Sequence, residues 1–173
     1  GSADYYYVNK SSLPKVYGGF NTSLSWKGFD LSAIFAYSIG GYIYNRDITM
    51  ILHNGSLEGR DWSTEILKRW TPDNRYTDVP ALSTTTNNWN SASTRFLQNN
   101  SYMRLKNLTL SYNLPKQWIS KLSLSSVQVY VQGDNLFTIH RNQGLDPEQG
   151  ITGITYYRYP AMRTISGGIN VSF

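Results

Sequence analysis

Between Val16 and Ile39 the chain alternates apolar with small polar residues, interrupted once by the dipeptide Lys27-Gly28. Phe20, Thr22, Leu24 and Trp26 share one side of an extended chain, with Gly19, Asn21, Ser23 and Ser25 opposite. Past the dipeptide, Phe29, Leu31, Ala33, Phe35, Tyr37 and Ile39 continue the apolar side against Asp30, Ser32, Ala36 and Ser38, and only Ile34 breaks the pattern. A period of two around a Gly-containing pair predicts two antiparallel strands joined by a tight turn. Each strand has about the 9 to 11 residues that a tilted strand needs to cross a hydrocarbon layer.

The pattern returns three times. Ser101 to Asn113 sets Leu108, Leu110 and Tyr112 against Asn107, Thr109 and Ser111. Ser125 to Thr138 sets Val127, Val129 and Val131 against Gln128, Tyr130 and Gln132. Thr164 to Phe173 sets Ile165, Gly167, Ile169, Val171 and Phe173 against Thr164, Ser166, Gly168, Asn170 and Ser172. Strands with one greasy and one wet face suit two environments. In a soluble sandwich the greasy faces of two sheets meet, and in an outer-membrane barrel the greasy face meets lipid while the other lines a hydrated lumen. Composition fits both. Charged residues are 16% of the chain against roughly 25% in an average soluble protein, and Ser, Thr, Asn, Gly and Tyr take their place. No run approaches the 18 or so apolar residues of a membrane helix, so any spanning is done by strands. The net charge of +5 is scattered and forms no basic run or stripe, which argues against nucleic acid as a partner. The absence of cysteine excludes disulfides and thiolate metal sites.

The expected organisation is a leading loop over 1–15, a barrel hairpin over 16–44, a long loop with short helices over 45–100, and three strands with their connections over 101–173. Within the long loop, 46–53 reads as a short helix with Ile48, Ile51 and Leu52 on one face. Asp61 is placed to cap a second helix in which Trp62, Ile66 and Trp70 recur at four-residue spacing, stopped by Thr71-Pro72. Pro115 opens a small helix expected to bury Trp118, Ile119 and Leu122. Short connections (Lys27-Gly28 and 114–123) thus fall at one end of the five strands and long ones (45–100 and 139–160) at the other. Outer-membrane barrels have short periplasmic turns and long outer loops.

No constellation for bond chemistry stands out, and neither an enzyme activity nor a cofactor is expected. His53 and His140 are the only histidines and lie far apart without Cys or paired carboxylates at ligand spacing. The carboxylates Asp61, Glu65, Asp73, Asp78, Asp146 and Glu148 read as solvated loop charges, and Asp146-Pro147-Glu148 as a turn. Trp62, Trp70, Trp89, Tyr76, Tyr156 and Tyr157 are candidates for contact with a substrate or a lid, since flat rings offer rigid surface to a sugar or peptide. Trp62 and Trp70, on one helical face, read more readily as a small core or partner contact. Tyr17, Phe20, Trp26, Phe29, Tyr37, Tyr102 and Tyr112, near strand ends, read as an interfacial aromatic girdle.

Several stretches, in order over nearly the whole chain, resemble SusC/RagA-like TonB-dependent outer-membrane transporters. They are Leu13-Pro14-Lys15-Val16-Tyr17-Gly18-Gly19-Phe20, Trp26-Lys27-Gly28-Phe29-Asp30-Leu31-Ser32, Arg69-Trp70-Thr71-Pro72-Asp73-Asn74 and the run from Ser101 to Pro115. Val129 to Thr138, Leu145-Asp146-Pro147-Glu148 and Tyr159 to Thr164 complete the set. The resemblance implies an all-β fold, with these antiparallel strands forming the C-terminal part of a transmembrane barrel of about 22 strands. The plug and the other barrel strands then belong to the remainder of the same transporter. It further implies import of a bulky nutrient, glycan or oligopeptide, across the outer membrane of a Gram-negative bacterium. Energy would come from TonB through the missing plug, with a SusD-like lipoprotein closing over the outer loops and lipid and lipopolysaccharide around the barrel. Phe173, with Val171 and Ile169, is similar to the terminal signal read by the barrel-assembly machinery. The alternatives are a soluble β-sandwich that binds carbohydrate through its loop aromatics, and an outer-membrane adhesin or porin.

Overall fold

A computed structural model describes residues 5–53, 55, 57, 59–83, 91–148 and 150–173. Trp89 lies outside the described residues, as does the side chain of Leu122. The strands are β1 (Pro14–Trp26), β2 (Phe29–Gly40), β3 (Tyr42–Asn45), β4 (Leu97–Asn99), β5 (Tyr102–Asn113), β6 (Ser126–His140), β7 (Ile154–Thr155) and β8 (Thr164–Ser172). Five of them form one antiparallel sheet in the order β1-β2-β5-β6-β8. Its neighbours in space are its neighbours in sequence once the connections 41–101 and 141–163 are set aside, the meander that consecutive alternating strands favour.

Lys27 and Gly28 both have positive φ, 48° and 87°. That is the two-residue turn whose twist matches paired strands. It closes the Trp26↔Phe29 pair. The register carries side chains straight across the sheet. Trp26, Phe29, Tyr112, Val129 and Ile169 form one row, and Leu24, Leu31, Leu110, Val131 and Gly167 the next. The opposite face has the rows Ser25, Asp30, Ser111, Tyr130, Gly168 and Ser23, Ser32, Thr109, Gln132, Ser166. One face is therefore apolar across all five strands and the other polar. Most of the apolar face is exposed, Leu24, Leu31, Leu110, Val129, Val131 and Ile169 among it.

The strand β5 carries an irregularity that alternation alone does not predict. Ile34 pairs with Asn107 and Phe35 with Leu105, so Lys106 is an extra residue against β2. Such a bulge reverses the parity of everything before it. Met103 and Leu105 thereby join the apolar face although Leu108, Leu110 and Tyr112 carry even numbers, and Arg104 moves to the polar face. On β6 the two residues Asn135 and Leu136 stand against Lys106, with Asn135 at φ 52°.

The two ends of the sheet differ. At one end lie the Lys27-Gly28 turn and a short connection in which Lys116–Ile119 (α2) runs into a 3₁₀ turn, Ser120–Leu122. Pro115 is the cap rather than the first helical residue, and only Ile119 of the expected trio is shown buried; Trp118 is exposed. At the other end β3 pairs with β4 antiparallel and with β7 parallel in a second, three-stranded sheet that the sequence pattern did not announce. Arg46–Ile51 (α1) follows β3, capped by the Asn45 side chain on the Ile48 N–H at 3.1 Å. Of its expected apolar face, Leu52 is buried and Ile51 exposed.

The second predicted helix is a single 3₁₀ segment, Thr64–Lys68, capped by Ser63 and not Asp61. Trp62 precedes it and Trp70 follows it, so the two rings do not share a helical face; Ile66 alone is buried. Ser63 wins the cap because its hydroxyl accepts the Glu65 N–H at 3.3 Å, while Arg69 leaves the helix in an extended conformation. Buried apolar side chains gather at this end of the molecule (Ile43, Leu52, Ile66, Val79 and Phe96) together with the buried polar groups Asn45, His53 and Thr155.

Candidate functional site

The polar face of β5 and β6 carries a chain of side-chain hydrogen bonds. Asn107 Nδ2 donates to Asp134 Oδ1 at 2.8 Å, Thr109 Oγ1 to Asn107 Oδ1 at 2.9 Å, and Gln128 Nε2 to Ser111 Oγ at 3.3 Å. Toward the long-loop end this face becomes charged. Arg104, opposite Ala36 and Thr138, has a side chain only 3% exposed. All three of its nitrogens donate: Nε to Thr138 Oγ1 at 2.9 Å, Nη1 to Glu148 Oε2 at 2.9 Å and Nη2 to Asp146 Oδ1 at 2.5 Å. Lys106, thrust out by the bulge, donates to both oxygens of Glu148 at 2.6 Å.

Asp146 is the hub of this cluster. Its side chain is 7% exposed, and its carboxylate also accepts the N–H of Glu148 at 2.9 Å and of Ala161 at 2.7 Å. Burial works against the charge, but the two amides and the Arg104 guanidinium outweigh it and hold the carboxyl below its ordinary value. Asp146 and Glu148, expected as solvated loop charges, are thus tied to a strand. Loss of one partner from a buried pair strands the other charge, so the arrangement fixes the loop at Asp146, Glu148 and Ala161 against the sheet.

Neutral contacts fasten the same segment further. Asn100 Nδ2 donates to Pro147 O at 2.9 Å, Asn142 Nδ2 to Asn100 Oδ1 at 3.0 Å, and Asn45 Nδ2 to Gln143 O at 3.1 Å. The Tyr44 N–H donates to Gly153 O at 2.7 Å. A cavity of about 560 Å³ lies beside the cluster, bordered by Arg104, Asn135, His140, Asp146, Ala161 and Arg163.

Of the aromatic candidates, Tyr156 and Tyr157 come together, with ring centroids 4.7 Å apart and edge to face. The Arg46 guanidinium stacks 5.0 Å from the Tyr156 ring. Tyr157 has φ 44°, a conformation unfavourable for a bulky residue, and its N–H donates to Asp47 Oδ1 at 3.1 Å. Trp62 meets His53 edge-on at 4.8 Å. His53 itself is fully buried although it follows a helix end, and its Nδ1 accepts the Leu57 N–H at 3.4 Å. Tyr76 is fully exposed and Trp70 partly so, and neither makes a ring contact among the described residues.

The girdle candidates divide. Phe20, Trp26, Phe29, Tyr37 and Tyr112 lie on the apolar face, where Phe20 stacks on Phe35 at 4.8 Å and Phe29 meets Tyr112 with rings tilted by 36° at 4.4 Å. Tyr17 and Tyr102 instead share a row with Ser38 and His140 on the polar face. Tyr17 has the wrong parity for its neighbours, and Tyr102 is turned over by the Lys106 bulge. Ile169, Val171 and Phe173 are exposed at the sheet edge formed by β8.

Sequence reasoning passed over Arg104 and Lys106. The signal was present: apolar residues occupy odd positions at Met103 and Leu105 and even ones from Leu108, with the polar pair Lys106-Asn107 at the change. A sheet with one apolar and mostly exposed face, one hydrogen-bonded polar face and a charged cluster fixing a long loop on the latter is a wall of a transmembrane β-barrel. No family model matches the chain. It is 34% identical over 166 residues to the TonB-dependent receptor P3 of Formosa agariphila, covering 90% of this chain and 16% of that protein. With the TonB-dependent receptor SusC of Bacteroides thetaiotaomicron it shares 27% over 168 residues, 96% of this chain and 16% of that one. Solved structures of the RagAB peptide importer in 'closed-closed' and 'open-open' states superpose with TM-scores of 0.83 and 0.84. Identity to each is 35%, over 96% of this chain and 18% of theirs. The chain belongs to the SusC/RagA-like TonB-dependent transporters. It spans about a sixth of the length of the curated relatives it matches.

Proposed function

We propose that this chain is the wall and outer-loop portion of a transporter that imports a bulky nutrient, a glycan or an oligopeptide, across the outer membrane of a Gram-negative bacterium. The observation that carries the reading is the separation of apolar and polar residues over all five strands, in register. The apolar face meets lipid, with Phe20, Trp26, Phe29, Tyr37 and Tyr112 toward the interfaces, and the polar face lines the lumen. The Lys27-Gly28 end is periplasmic, and the end bearing the second sheet, α1 and segment 141–163 is extracellular. Strands β1 and β8, each paired on one side only among the described residues, would pair with other strands of the full protein. Its plug would take energy from TonB, and a SusD-like lipoprotein would close over Tyr76, Trp62, Trp70 and the Tyr156-Tyr157 pair, which the cargo would touch as it enters. The exposed apolar residues Ile169, Val171 and Phe173 would be read by the barrel-assembly machinery. Both the P3 and SusC relatives are named TonB-dependent receptors and RagAB a peptide importer, which supports the reading.

The experiment uses the full-length protein in intact cells. A cysteine replacing Tyr76 should react with a membrane-impermeant maleimide from outside, while one replacing Lys27 should react only after the outer membrane is permeabilised. Deletion of the transporter should in parallel abolish growth on either oligopeptides or oligosaccharides as sole source. The reverse labelling pattern, or unchanged growth on both, contradicts the proposal.

A further inference from the structure

The charged cluster on the polar face has a composition that bears on which cargo can pass. Two cations from the strand, Arg104 and Lys106, meet two carboxylates from the loop, Asp146 and Glu148, at 2.5 to 2.9 Å. The four formal charges cancel. Depth differs among them: Arg104 and Asp146 have side chains 3% and 7% exposed, whereas Lys106 and Glu148 stand at 33% and 37%. The buried pair is thus the fixed half, its charges spent on each other, on Thr138, on Glu148 Oε2 and on the Glu148 and Ala161 N–H groups. The exposed half is what a passing solute meets. Glu148 touches both cations and is the only carboxylate bonded to Lys106 among the described residues.

We propose that Glu148 is a specificity-determining residue: folded in from segment 141–163, it cancels the Lys106 charge on the lumen wall and so keeps this stretch from selecting cargo by sign. The inference rests on the polar face being the lumen. Without the Glu148 charge the local charge rises by one, on a face whose strand carboxylates Asp30 and Asp134 stay bonded to neutral side chains. A field inside a confined aqueous passage then concentrates anions and repels cations. Asp146 does not play this part: buried and holding Arg104 and two backbone amides, it fastens the segment more than it faces the passage, whereas E148Q keeps an oxygen for Arg104 while removing the more exposed charge.

A reporter is available on the same face. Ile34 lies opposite Asn107, one pair from the bulge, and is exposed; the chain itself has no cysteine. In the full-length transporter, cleared of other reactive cysteines, I34C is treated in cells with an anionic and a cationic methanethiosulfonate of similar size. The ratio of the two rates reads the local potential. E148Q, close to isosteric, should raise the anionic-to-cationic ratio about fourfold, as expected for one charge at on the order of 10 Å in water. High salt should erase most of the change, and K106Q added to E148Q should restore the original ratio. A heat-modifiable barrel band confirms that each variant folds. An unchanged ratio in E148Q, with the thiol reacting normally, overturns the role of Glu148 while leaving the lumen intact. If neither reagent reacts at I34C in the parent protein, the polar face is not the lumen and both readings fall.

Discussion

The five-stranded sheet and the loop assembly at its long-loop end are held by different means. In the sheet, each side chain's position follows from its parity and from the ladder, and few side chains are buried. At the loop end the backbone is irregular, and long-range side-chain contacts fix it: Arg104 to Asp146, Asn100 to Pro147, Asn45 to Gln143 and Asp47 to Tyr157. A wall between lipid and water needs only a two-sided pattern, which short local sequence supplies. A loop that must stay on the wall needs specific partners, which come from distant segments.

The largest effect is expected where the two regions join. Replacing Arg104 by Ala takes the guanidinium away from the buried Asp146 carboxylate, which should cost about 3 to 5 kcal/mol. Protease cleavage within 141–163 in folded full-length protein reads this directly. The two faces of the sheet should then separate. L110R, on the apolar face, should destabilise the barrel by about 2 to 4 kcal/mol in urea unfolding from bilayers, and T109R, its neighbour on the polar face, by far less. Equal losses would break the distinction between the faces.

A smaller cost falls on the turn. Gly28 has φ 87°, and a Cβ there would stand 3.1 Å from Asn113 O. G28V should lower stability by about 1 to 3 kcal/mol without altering loop protection. The smallest effect is that of pH. The Asp146 carboxyl is held below its ordinary 3.8, so its contribution is fully present above that value and is lost as pH falls through the lower, docked value. Loop protection should be flat from pH 8 to about pH 5 and fall only below about pH 4. In D146N that acid-dependent step should be missing.

The regions also differ in how far the sequence disclosed them. The hairpin 16–39, its Lys27-Gly28 turn and the strands near 101–113, 125–138 and 164–172 were legible because a period of two is local. Ile34 was rightly seen as the exception, and it does lie on the polar face. Tyr17, expected in the girdle, has the parity of the polar residues around it, and Tyr102 is turned to the same face because one inserted residue, Lys106, reverses the parity. The second sheet escaped because β3, β4 and β7 have at most four residues each, too few for a period, and because β3 and β7 pair across more than a hundred residues. The Trp62-Trp70 helix failed on length: five 3₁₀ residues cannot present a four-residue repeat. Asp146 and Glu148 looked solvated since nothing local reveals that an arginine on β5 turns toward them.

The most direct measurement of the central claim is the accessibility of nitroxide spin labels in the full-length protein reconstituted in lipid. Labels at Leu110 and Val131 sample one face, and labels at Thr109 and Gln132 the other. Collisions with oxygen, which partitions into lipid, should dominate at 110 and 131, and collisions with a water-soluble nickel chelate at 109 and 132. Sites on both faces answering to the same reagent would contradict a wall with lipid on one side and a watered lumen on the other.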